Sequence, residues 1–279
     1  MNSLMHPDDA ARLVASFVCP PATEEVPLAV AVGRVLPVAV VGAWDQPPFD
    51  KAAMDGFAHD GTGAPDLPRR IRNVLAAGTH DPRPLGPAEA VKIMTGAPLP
   101  PGATRVQRVE WSEVTGDHVR FTRPEGSANV IRRGENARAG APLLEPRLLT
   151  AADIAILAAD GRATVTVAVR PRVGVLSTGS ELQPPGTPLR PGAIYDSNRP
   201  QVLAQLAAFP ATTVDLGIVP DDAAATRAAI ARALADVDLL VLSGGVSMGD
   251  FDHVPRALRE CGVTVEFHGL RVKPGKPTY

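Results

Sequence analysis

The sequence predicts an α/β protein: a C-terminal three-layer α/β domain with a mostly parallel sheet, preceded by a discontinuous α+β domain carrying an inserted small β domain. Three observations predict it. From Val173 onward, apolar strand-like runs alternate with helix-like stretches, the pattern of parallel βα units. Between Arg70 and Arg133 only short strand-like pieces occur, separated by turn residues, with no long helix among them. Thr164 to Val169 alternates with Val165, Val167 and Val169 on one face, and it groups more naturally with the first forty residues than with the β region it follows.

Bulk properties narrow the function. The 279 residues suffice for two or three domains with real cores, and 45% hydrophobic against 21% charged residues excludes a disordered chain. A formal net charge of −2 gives no electrostatic case for nucleic acid or an anionic membrane, so a small-molecule partner is expected. Cys19 and Cys261 lie far apart without metal-ligand spacing, which suits a reducing, cytoplasmic setting. Asp8, Asp9 and Arg12 interrupt the N-terminal apolar stretch and argue against a signal peptide, and no run approaches ~18 apolar residues.

The elements follow in order. Residues 7 to 18 suit a helix with Pro7 at its start, Asp8 and Asp9 in the first turn, and Leu13, Val14, Phe17 and Val18 as a packing face. Val26 to Val41 is almost continuously apolar, and periodicity does not separate helix from strand there. Pro47 and Pro48 enforce extended backbone, and Asp55-Gly56 marks a turn, so local chemistry reads Asp55 first as a turn former. Val109 to Phe121 reads as two strands around Thr115-Gly116-Asp117. Met94-Thr95-Gly96 is a polar loop whose Thr95 is either a turn hydroxyl or a ligand contact. Thr150 and Asp153 have capping-box spacing for a helix that closes near Gly161.

In the C-terminal domain, strands are expected at Val173 to Leu176, Thr213 to Val219, Leu239 to Leu242 and Val263 to Phe267. Helices are expected from about Arg199 to Ala208, from Asp221 as cap to Asp236, and from His253 to near Gly262. Ligands bind at the carboxyl edge of such a sheet, and the polar loops fall there: STGSEL with Glu181, IVPDD with Asp221, and SGGVSMGDFD. Alone, Asp221 is a helix cap and Glu181 a solvated loop acid. In SGGVSMGDFD, the paired Gly244 and Gly245 let backbone N–H groups between Ser243 and Ser247 approach an anion before a helix N-terminus. Asp250 and Asp252 would repel that anion, by ~4 kcal/mol at contact distance and an effective dielectric of 20, unless a divalent cation lies between, so Mg²⁺ is expected. Only four of the 28 basic residues are lysines, and two of these, Lys273 and Lys276, sit in KPGKP as compact point charges.

QPPFDKAAMDGFA, KIMTGAPLPPG, ANVIRRGEN, STGSEL, GAIYDSN, GIVPDD, SGGVSMGDFD and KPGKP, in that order, closely resemble the MoeA and gephyrin E-domain family of molybdopterin molybdenumtransferases. The resemblance implies a discontinuous, dimerising domain I (1–45 and 137–171), an inserted β domain II (46–136) and a molybdopterin-binding α/β domain III (172–279). It implies Mg²⁺-dependent insertion of molybdenum from molybdate into adenylylated molybdopterin, with release of AMP, in molybdenum cofactor biosynthesis. A molybdopterin adenylyltransferase would be the upstream partner. Glu181, Asp221 and Asp252 would act with the metal and the adenylate phosphate, while Asp250, counted among the substrate-binding residues, would mainly cap the following helix. The Ser243, Gly244, Gly245 and Ser247 loop would grip the substrate, and Lys273 and Lys276 would hold molybdate. Asp55 and Thr95 would reach domain III of the partner in a homodimer.

The chain departs from the family pattern at Lys51 for asparagine, Ala52 for serine, Ile131 for an arginine, Asn136 for the acid ending GED, and Gly269 for a basic residue. It stops before the family's GLPGNP loop and domain IV, so an uncovered sheet edge and poor solubility are expected. A non-catalytic molybdopterin-binding or scaffold protein is the alternative these departures motivate. A metal-dependent phosphoesterase would use the acids and loops but leaves the domain II motifs unexplained.

Overall fold

A computed structural model describes residues 4–17, 19–245 and 253–279. The chain divides into two compact units, one of residues 1–25, 33–37 and 166–279, the other of residues 26–32 and 38–165. The first unit opens with helix α1 (Pro7–Ser16), capped by the His6 side chain and closed by Ser16, two residues short of the expected end. Its expected packing face is largely open, with Val14 and Phe17 about 60% exposed (62% and 59%) and Ala10 buried. The reason is that Leu13, Val14 and Phe17 border a groove of about 360 Å³ within this unit, shared with Leu239, Leu242 and Phe267, which no described side chain fills.

The second unit is built on a six-stranded sheet of β1 (Gly56–His59), β2 (Arg69–Leu75), β3 (Glu89–Ile93), β4 (Arg105–Arg108), β5 (Ser112–Thr115) and β6 (His118–Phe121). The order is β4-β1-β3-β2-β6-β5, antiparallel throughout except for the parallel β2–β3 pair. The β5–β6 hairpin turns through Gly116-Asp117, with Gly116 at φ 58°, so the expected hairpin forms while Val109–Trp111 is a 3₁₀ turn. Both sheet faces are covered. Ala58, Val91, Ile93 and Val106 pack in one cluster, and Phe57, Ala90, Val119 and Phe121 in another. The ambiguous apolar stretch resolves into short pieces: a strand ending at Pro27, a 3₁₀ turn at Leu28–Val30, and two-residue strands at Val35–Leu36 and Val40–Val41.

Helix α2 (Ala151–Ala159) also belongs to the second unit. Thr150 and Asp153 form the expected capping box, with Thr150 N donating to Asp153 Oδ2 over 2.8 Å and Asp153 N to Thr150 Oγ1 over 3.3 Å. Beyond the helix, Asp160, 1% exposed, accepts from Ala43 N (2.8 Å), Gln46 Nε2 (3.3 Å) and Arg162 Nε (2.9 Å). A buried carboxylate with three donors anchors the segment before the QPPFD motif.

Returning to the first unit, the α/β region comprises β7 (Arg172–Thr178), α3 (Asn198–Leu206), β8 (Thr212–Val219), α4 (Ala223–Asp236), β9 (Leu239–Ser243) and α5 (Val254–Glu260). The sheet order is β8-β7-β9 and both pairings are parallel, as the βα repetition predicts. The expected fourth strand does not form: residues 263–267 carry no strand assignment. Pairing goes instead to the next segment, where Gly269 O accepts from Met5 N (3.1 Å) and Arg271 N donates to Met5 O (2.8 Å). Arg199 on α3 is clamped between Asp196 and Asp215, and tethers the helix start to β8.

Candidate functional site

The three parallel strands end level with one another, Thr178 beside Val219 and Ser177 beside Ser243. Their following loops therefore emerge on one edge of the sheet, as the topology requires. Ser180, in the loop after β7, donates its backbone N–H to Asp221 Oδ2 over 2.9 Å. Asp221 returns its own N–H to Ser180 Oγ over 2.9 Å. This reciprocal pair stitches the STGSE and PDD loops together across 41 residues of sequence.

One local expectation is corrected here. The cap of α4 is Asp222, whose Oδ1 accepts from Ala225 N over 2.7 Å, and not Asp221. The sequence presents two adjacent aspartates, and the helix starts one residue later than periodicity alone suggests. Asp221 thus keeps Oδ1 outside the cap and the Ser180 bond. Glu181, exposed, forms no ion pair among the described residues. Two hard oxygen donors suit Mg²⁺ chemically, although the Arg190 guanidinium stands in the same loop, donating to Ser180 O over 3.3 Å. Among the described residues no group of three His, Cys, Asp or Glu side chains forms a metal cluster. The third expected ligand, Asp252, lies outside the described residues, as do Ser247 and Asp250.

The glycines after β9 are demanded by close packing. Gly244 has φ 91°, and a Cβ there would lie 2.3 Å from Thr178 O; Gly245 has φ 63°, and a Cβ would lie 2.7 Å from Val254 Cγ2. Ser243 Oγ accepts from Asn198 Nδ2 over 2.9 Å, so α3 holds the loop from the side. Beneath it, the Thr178 hydroxyl is buried without a hydrogen-bond partner among the described residues. Ser180, Asn198 and Thr178 were not singled out from the sequence. Their signal was their place inside the STGSEL and YDSN motifs at strand and helix ends.

Lys273 and Lys276 are both exposed and form no ion pair among the described residues. Their loop is closed by Leu270 N donating to Lys276 O (2.9 Å) and Thr278 Oγ1 to Gly275 O (2.9 Å). No described contact joins either lysine to Glu181 or Asp221.

In the second unit the other two expected residues do meet. Asp55 Oδ1 accepts from both Thr95 N and Thr95 Oγ1 at 2.7 Å. The Thr95 amide and hydroxyl hold the Asp55 carboxyl below its ordinary range. Both residues are exposed, and the strand that follows Asp55 is held close against β4, since a Cβ on Gly56 would lie 2.0 Å from Gln107 O. The pair is a pre-formed, ionised acid beside a hydroxyl, presented to solvent.

Comparison with known proteins adds family likeness to this geometry. The family model of the MoeA N-terminal region (domain I and II) matches residues 5–161, and that of a probable molybdopterin binding domain matches residues 174–279. A molybdopterin molybdenumtransferase 2 of Mycobacterium tuberculosis is 39% identical over 281 residues, covering 95% of this chain and 69% of its own length. A molybdopterin molybdenumtransferase of Bacillus subtilis is 34% identical over 283 residues, covering 97% of this chain and 66% of its own. The crystal structure of a molybdopterin biosynthesis MoeA protein from Pyrococcus horikoshii aligns with a TM-score of 0.86 at 31% identity, over 99% of this chain and 71% of that one. The chain thus spans about two thirds of the length of these relatives. No described helix is long and apolar enough to cross a membrane.

Proposed function

Since the chain belongs to the MoeA family, we propose that it acts in molybdenum cofactor biosynthesis, as a molybdopterin molybdenumtransferase that inserts molybdenum from molybdate into adenylylated molybdopterin and releases AMP. The observation that carries the reading is the reciprocal Ser180–Asp221 pair, which holds one acid-bearing loop against another at the carboxyl edge of the sheet, where Asn198 also braces Ser243. In this reading the backbone amides at Ser243, Gly244 and Gly245 bind the substrate's anionic tail. Lys273 and Lys276 hold the molybdate dianion, and Glu181 and Asp221, with Asp252, hold Mg²⁺. The cation supplies charge neutralisation at the adenylate phosphate when bound. Asp55, ionised by its bonds to Thr95, faces the partner's substrate site across a homodimer, and a molybdopterin adenylyltransferase supplies the substrate.

Release of AMP from adenylylated molybdopterin, with molybdate and Mg²⁺, tests this. Asp221→Asn keeps an oxygen for the Ser180 amide but removes the charge, so the rate should fall by at least about 10²-fold with the fold intact. An unchanged rate removes Asp221 from the site. Tight molybdopterin binding with no AMP release by the unmutated protein would favour the scaffold reading.

A further inference from the structure

Within the second unit lies a cleft of about 570 Å³ whose lining includes Trp44, Asp45, Pro47, Pro48, Lys51 and Asn136. Its walls are fixed. Trp44 lies against Gly161 so closely that a Cβ there would come within 2.5 Å of Cζ2, and Asp160 anchors Ala43 and Gln46. Gln46 O accepts from Asn136 N over 2.8 Å, pinning the far wall. The polar groups on the lining are unequal. The Asp45 carboxylate is engaged by Arg133 Nε (2.7 Å) and Ala139 N (3.0 Å), and these bonds hold it ionised. The Lys51 ammonium, the Asn136 amide and the Trp44 indole N–H have no hydrogen-bond or ion-pair partner among the described residues. Three solvent-accessible donors that no described protein group engages, one of them charged, offer hydrogen bonds to an acceptor-rich anion. Trp44, 53% exposed, and the two proline rings supply flat apolar faces beside them.

We propose that this cleft is a binding site for a planar organic anion, its ring against Trp44 and its anionic group on Lys51 and Asn136. The cleft is lined by residues of the second unit alone, and the inference does not rest on the transferase reading. AMP is a suitable probe, with adenosine and inorganic phosphate as arms that carry only the ring or only the charge. The chain has two tryptophans, so Trp111→Phe leaves Trp44 as the sole indole emitter. AMP should then quench the emission saturably, and each arm should bind more weakly. Lys51→Gln should weaken AMP binding roughly tenfold or more, with Lys51→Arg restoring part of it. Asp221→Asn should leave the Trp44 signal unchanged, which separates this cleft from the first unit's site. Titration calorimetry on the protein with both tryptophans, with and without Lys51→Gln, gives the same comparison if Trp111→Phe fails to fold. Absence of saturable AMP binding, or AMP binding indifferent to Lys51→Gln, overturns the proposal.

Discussion

On the six-stranded sheet Ala58, Val91, Ile93 and Val106 are completely buried, whereas on the parallel sheet burial is concentrated in the central strand β7 and Leu239 at the start of β9 is 54% exposed. Only β5 and β6 of the first sheet form a hairpin, and its other pairings join strands distant in sequence, such as Gly56 with Arg108, but its two faces are covered by the unit's own loops and side chains. The second depends on crossover helices, and its β9 side borders an unfilled groove. The difference teaches where this protein keeps its tolerance: in the unit that carries the strand-end loops, while the other unit is closely packed.

The strongest way to break the comparison is Gly56→Val. With a Cβ 2.0 Å from the Gln107 carbonyl oxygen, backbone must move, and the second unit should lose more than about 3 kcal/mol in urea unfolding. A milder challenge uses pH. Burial, and then the Arg69 charge, push the His59 imidazole down to about 4, and its Nδ1 accepts the Gly61 N–H over 3.1 Å, so the folded ring is neutral at pH 7. As pH falls below the ordinary 6.5 the unfolded chain takes up that proton first, so stability present at pH 7 is lost progressively down to about pH 4. The loss should be on the order of 2–3 kcal/mol, and the difference between native protein and His59→Phe across pH 7 to 4.5 isolates it.

Removing the α2 cap should matter less. Thr150→Ala deletes a hydroxyl that both donates to and accepts from Asp153, and should cost about 1 kcal/mol in the same unfolding experiment. The smallest effect is expected from Leu239→Thr on the open side of the parallel sheet, within about 0.5 kcal/mol. A loss as large as that of Gly56→Val would show that β9 is buried in solution and end the contrast.

Much of this was legible in the chain. The βα repetition after Val173 predicts three of the parallel strands and their helices, because buried strands and amphipathic helices have different periods. The Thr150–Asp153 box and the Gly116 turn are local chemistry, written in neighbouring residues. What was not legible depends on distant partners. Residues 263–267 have the composition of a strand, yet their neighbours Gly269 and Arg271 pair with Met5, which lies more than 260 positions away. The apolar face of α1 is a correct periodicity with no filled partner surface. Asp55 and Thr95 each read as turn residues, and only the fold brings them to 2.7 Å. The Asp221 and Asp222 assignment hinged on a one-residue shift in helix start, too fine for periodicity to settle.

The reciprocal Ser180–Asp221 bonds have a consequence in time. Each residue's amide proton is held by the other's side chain, so parting of the two loops releases both protons together. The two amides should therefore exchange with deuterium through one shared opening event. A ligand that grips either loop would slow exchange in both, whereas removing the Ser180 hydroxyl would free the Asp221 amide alone.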